Sequence, residues 1–122
     1  MALHSFEDLE VWKLACRIAT RLYSDLAKCR DYGLRDQMTR AAVSVASNIA
    51  EGAERGSKPD FARFIGFAKG SAAELRTQVY IAERIGILSV DQKSGYISEL
   101  KQVSAMLHGL TQSLAIPRKP LR

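Results

Sequence analysis

Apolar side chains recur along this chain at alternating three- and four-residue steps, and they do so in four successive runs. From about Phe6 to Lys28, Trp12, Ala15, Ala19, Leu22 and Leu26 share one helix face, widened by Val11 and Ile18. Lys13, Arg17, Arg21, Ser24 and Lys28 fall opposite. Glu7, Asp8 and Glu10 crowd the first turn, where carboxylates offset the positive end of the helix dipole. Cys29 to Gly33 reads as a short turn. A second helix, from about Leu34 to Ala53, points Leu34, Met38, Ala41, Val45 and Ile49 inward and is ended by Gly52 and Gly56. Its centre (Ala41, Ala42, Ser44, Ala46, Ser47) is built of small residues, which predicts close packing of a neighbouring helix there.

Ser57-Lys58-Pro59-Asp60 opens a third helix, with serine as cap, proline tolerated in the first turn and Asp60 completing a capping-box-like pair. Phe61, Phe64, Ala68, Ser71, Leu75, Val79 and Ala82 form its stripe. Gly86 closes it as a C-cap, with Ile87 available for the accompanying apolar contact. Ser89-Val90-Asp91-Gln92 is a second capping box. From it a fourth helix carries Tyr96, Leu100, Val103, Leu107, Leu110 and Leu114 to Pro117. Short turns make consecutive helices antiparallel neighbours, so the expected fold is all-α: an up-down-up-down four-helix bundle over residues 1–117, followed by a basic tail, 118–122.

Composition adds charge to this picture. Eighteen Lys and Arg against thirteen Asp and Glu give +5. Such a balance suits acidic partners, nucleic acid first, or serves solubility alone. The carboxylates gather at helix starts, leaving the middles basic. Arg17, Arg21, Arg40, Lys69, Arg76 and Lys101 lie along helix middles, and Arg55, Lys58 and Arg63 share one end of the bundle with the tail. Arg17, Arg21, Arg40, Arg55, Lys58, Arg63, Lys69 and Arg76 are the candidate nucleic-acid contacts, because a guanidinium fork matches a phosphate. No recognisable reading head is present, so binding would follow charge and shape.

Two further constellations stand out. Gly66 and Gly70 stand one turn apart on helix three, with Ala73 continuing the row. Each glycine costs about 1 kcal/mol against alanine in a helix interior, so a compensating close contact is expected, within the bundle or between subunits. Asn48 points at or near the core, where an amide must be hydrogen-bonded. Ser71 and Glu74 are its candidate partners together with Glu51, as a structural polar network or a ligand site.

Catalytic chemistry finds little support. A di-metal bundle needs Glu-x-x-His on two helices, whereas the residue three before His108 is Ala105 and His4 precedes the helices. No nucleophile motif or phosphate-binding loop occurs, so no metal and no cofactor is expected. Cys16 and Cys29 form no C-x-x-C pattern and stand about 20 Å apart in this helix reading, too far for a disulfide. No secretory leader pattern and no membrane-length apolar run is seen, which sets the expectation at the cytoplasm.

Phe6-Glu7-Asp8-Leu9-Glu10-Val11-Trp12, Tyr32-Gly33-Leu34 with Gln37-Met38, Arg40-Ala41-Ala42-Val43-Ser44, Ser47-Asn48-Ile49-Ala50-Glu51-Gly52, and Ala68-Lys69-Gly70-Ser71 with Glu74-Leu75 together resemble the 23S rRNA-intervening-sequence (S23) family over nearly the whole chain. The chain departs at Ala46, where that family commonly carries proline, so the resemblance carries no helix-two kink over. It implies a four-helix bundle assembling into a ring-like homopentamer. It also implies similarity to the basic accessory proteins of diversity-generating retroelements, which work with a reverse transcriptase and nucleic acid. Five copies of a +5 chain would carry +25, a substantial field at low salt. The reading of function is a non-enzymatic homo-oligomer binding RNA or DNA backbone. Its alternative is a protein–protein scaffold or accessory subunit whose charge serves only solubility.

Overall fold

A computed structural model describes residues 5–114 of the chain. The expected tail, Pro117 and His4 lie outside the described residues. A 3-10 turn, Phe6–Asp8, precedes four helices: α1 (Glu10–Asp25), α2 (Tyr32–Glu54), α3 (Lys58–Arg84) and α4 (Val90–Ser113). Each packs on its neighbours in sequence, and α1 closes the ring on α4. The fold is an all-α, up-down-up-down four-helix bundle.

One continuous core runs through it, centred on Ile18, Leu22, Met38, Val45, Ile49, Ile65, Leu75, Val79, Leu100 and Leu107. Each fully buried side chain of this size contributes roughly 2 kcal/mol of transfer energy. The expected stripes form this core, with adjustments. Leu14, Ile65, Ala72 and Ile97 join it, whereas Trp12, Leu34, Leu110 and Leu114 are only partly buried against it. Ser71, expected in the stripe of α3, is half-buried at its edge.

Two expectations need correction. Helix one does not begin at Phe6, because Leu9 is extended (φ −75°, ψ 123°) and separates the 3-10 turn from α1. Ser5 Oγ accepts from the Glu7 amide and fixes that turn. The break brings Phe6 edge-on to Trp12, ring centres 5.2 Å apart. Six residues along an unbroken helix would put those rings on different faces. Nor does Gly52 end α2, since the helix runs on to Glu54. Gly52 is buried because a Cβ there would sit 2.6 Å from Phe64 Cβ. It is the point where α2 and α3 touch. Gly56, at φ 84°, makes the turn instead.

The caps behave as their chemistry requires. Asp31 Oδ1 accepts from the Leu34 amide, starting α2 two residues earlier than its apolar stripe suggests. Ser57 Oγ accepts from Asp60 N. Ser89 and Gln92 bond reciprocally as a full capping box. Gly86, at φ 83°, lets the Ile87 and Leu88 amides turn back to Ala82 O, which buries Leu88.

Gly52→Ala should destabilise the chain by about 1–3 kcal/mol, because the added methyl meets another helix. Gly66→Ala meets no described atom within 4 Å and should gain about 1 kcal/mol in the isolated chain. Urea unfolding of the two variants reads the contrast directly; equal effects would refute the packing account.

Candidate nucleic-acid interface

The eight candidate cations do not converge on one face. Arg17 and Arg21 lie on the α4 side of α1, Arg40 lies outward on α2, and Arg55, Lys58 and Arg63 gather at the α2–α3 corner. Arg21 is committed to the fold: its guanidinium pairs with Glu99 and lies 4.6 Å over the Tyr96 ring. The Glu99 hydrogen bond holds it protonated above its ordinary range, against a smaller desolvation penalty. Arg55 and Arg63 reach Asp60 at 3.9 and 3.5 Å. By contrast Arg17, Arg40, Lys58, Lys69, Arg76 and Lys101 have no described carboxylate within 4.0 Å.

Three of these cations, Lys69, Arg76 and Lys101, stand near the line where α3 packs on α4. Glu83 and Lys93, 3.9 Å apart, fix the antiparallel register there. Arg76 and Lys69 precede Glu83 by seven and fourteen residues and so return to the same flank of α3. On α4, Lys101 and His108 follow Lys93 by eight and fifteen residues, about 80° and 60° further round the helix, which sets them on its exposed outer edge. The register brings Arg76 level with Lys101, and Lys69 level with His108 about 10 Å further along. Arg76 Nε is buried and donates to no described acceptor. Lys101, basic surface in the sequence, is not among the candidate contacts there. Its place opposite Arg76 depends on interhelix register, which no local pattern reveals.

The hydrogen bonds around Asn48 centre on Ser44. Asn48 Nδ2 donates to Ser44 O and Ser44 Oγ at 2.9 and 3.0 Å, and Ser44 Oγ meets Ser71 Oγ at 2.9 Å across α2 and α3. Glu74 is bonded instead by the buried Gln78, at 3.4 Å, and Glu51 is exposed on α2. Ser44 and Gln78 were missed because each looks ordinary in sequence. Both line the contact that the small centre of α2 permits. Gly66, Gly70 and Ala73 are exposed on the outer face of α3, and a Cβ at either glycine meets no described atom within 4 Å. Packing among the described residues therefore does not account for the two glycines. A separate apolar groove of ≈410 Å³ opens between α1 and α2, lined by Phe6, Trp12, Cys16, Tyr23, Val43 and Ala46 among others. Burial pushes the Cys16 thiol up, away from nucleophilic character.

Across the bundle, Tyr96 ties α4 to α1. Its ring is 1% exposed, and its hydroxyl donates to Asp25 Oδ2 at 2.6 Å. Burial, then the bond to Asp25, pushes the phenol well above its usual range. The folded chain therefore holds this proton longer than the unfolded one. Stability from the site is full below about pH 10 and falls as pH rises past that value.

Comparison with known proteins points one way. The family model described as 23S rRNA-intervening sequence protein matches residues 7–109. A crystal structure of a protein with unknown function from the S23 ribosomal protein family of Bacteroides thetaiotaomicron superposes with a TM-score of 0.78 at 19% identity. The match covers 84% of this chain and 98% of that one. At that identity the likeness speaks for the fold. No curated protein matches the chain significantly.

Tyr96→Phe should lower stability by about 1 kcal/mol at neutral pH. The deficit should shrink as pH climbs past about 10, because only the wild type has this phenol to ionise. Denaturant titrations at neutral and alkaline pH give the difference, and a constant deficit would count against the Tyr96–Asp25 bond as its source.

Proposed function

The chain belongs to the 23S rRNA-intervening sequence protein family, and we propose that it is a non-enzymatic, homo-oligomeric bundle that holds RNA or DNA by its phosphate backbone. The α3–α4 cleft carries this reading. Lys69 and Arg76 on α3 and Lys101 on α4 stand near the α3–α4 contact line with no described carboxylate within 4.0 Å. Like charges held at fixed spacing repel one another, and a polyanion relieves that repulsion by releasing its own counterions.

Self-association is supported by two features that one copy leaves open, the bare Gly66–Gly70–Ala73 face and the apolar groove between α1 and α2. A bare helix face admits another helix closely, and repetition of the subunit multiplies the +5 of each chain. The non-enzymatic reading is supported by Cys16, whose thiol burial makes less acidic, and by the exposed setting of His108 on α4. Among the described residues no three His, Cys, Asp or Glu side chains gather as a metal site, and no helix is long and apolar enough to cross a membrane. Free Cys16 and Cys29 suit a reducing cytoplasm.

Binding of a structured RNA should weaken steeply from low to moderate salt. Replacing Lys69, Arg76 and Lys101 together by glutamine should lower the salt slope by about one for each phosphate that is no longer neutralised. Arg40→Gln, on another face, should change it little. Binding that ignores salt or the triple replacement would reject the cleft. A single protein partner retained after nuclease treatment would support a scaffold instead.

Gly70→Leu should dissociate the oligomer while leaving far-ultraviolet helicity intact. Sedimentation of an unchanged assembly would retire the seam.

A further inference from the structure

At the corner where α2 hands the chain to α3, aromatic rings and guanidinium groups interleave. Phe64 and Phe67 meet edge to face with ring centres 5.3 Å apart. The Arg55 guanidinium lies 4.8 Å over Phe64, while that of Arg63 spans both rings, 5.0 Å from Phe64 and 5.7 Å from Phe67. Asp60 pairs with both arginines, at 3.9 and 3.5 Å. Phe64 is buried by this arrangement, yet Phe67 remains 48% exposed. Beside it, one turn further along α3, Gly70 places nothing. The result is a π surface with one side braced and the other open.

We propose that this corner is a stacking platform for an unpaired nucleotide, with Phe67 taking the face of the base and Arg63 flanking it. The proposal rests on the reading of the chain as a nucleic-acid binder and narrows it to ligands with a single-stranded stretch. The chemistry is selective for a simple reason. Bases in a duplex hide their faces against one another, whereas an unpaired base exposes a π face to an aromatic ring of any protein. Local charge also separates the corner from the α3–α4 cleft. Arg55, Lys58 and Arg63 are balanced by Glu51, Glu54 and Asp60, so affinity here comes from stacking. The cleft is governed by cations. Phe67 is turned about 100° around α3 from Gly66 and about 60° from Gly70, toward α2, so the platform borders the proposed subunit seam at Gly70.

Fluorescence anisotropy with a labelled single-stranded oligonucleotide and a blunt duplex of equal length tests this on the full chain. Phe67→Ala should weaken the single strand about tenfold and leave duplex affinity unchanged, with the same ratio at low and moderate salt. Phe67→Trp should restore the single strand. An unchanged single-strand affinity, or an equal loss on both ligands, overturns the platform while the backbone-binding reading stands. Dissociation of the assembly on sedimentation of Phe67→Ala also overturns it, because Phe67 would then serve a second copy of the chain. If the wild type binds neither ligand, it is the parent reading that fails.

Discussion

How closely α2 can approach α3 governs the rest of this molecule. Ala41, Ser44 and Gly52 remove side-chain bulk from the side of α2 that faces α3, and the hydroxyls of Ser44 and Ser71 meet there. At Gly52 the tolerance vanishes, since the space for a methyl is already filled by Phe64. That contact also presents Phe64 as the floor on which Arg55 and Arg63 lie. A wider pair of helices would dissolve both the hydroxyl bridge and the braced corner. The dependence runs from bulk at one position to surface chemistry two turns away.

Four apolar stripes at helical spacing were enough to read the bundle, because periodicity and capping are local properties. Ser57, Ser89, Gln92 and Gly86 work as the residue types demand. What could not be read is whatever depends on register between helices. Gly52 looks like a terminator in sequence, since its neighbour across the interface is invisible there. Leu9 breaks the first helix and Phe6 meets Trp12, a contact that an unbroken helical pattern does not foresee. Lys101 joins Arg76 only through the alignment fixed by Glu83 and Lys93. Individual basic residues were legible, but their division among separate faces was not.

That division separates structural charge from available charge. Arg21 is spent on the α1–α4 joint, where Glu99 and the ring of Tyr96 enclose it. Lys69, Arg76 and Lys101, near the α3–α4 contact, have no described carboxylate within 4.0 Å. A net charge of +5 therefore understates the field in the α3–α4 cleft and overstates it elsewhere. Proteins of equal net charge would differ in binding according to how many of their cations the fold has already engaged.

The two long-range joints also differ in how much chain they enclose. Ser44 and Ser71 are 27 positions apart, whereas Tyr96 reaches Asp25 across 71 and Arg21 reaches Glu99 across 78. Closing the longer loops costs roughly 1 kcal/mol more in chain entropy. The α1–α4 joint, made of a tyrosine, an aspartate and one ion pair, therefore carries the larger entropic cost of the two.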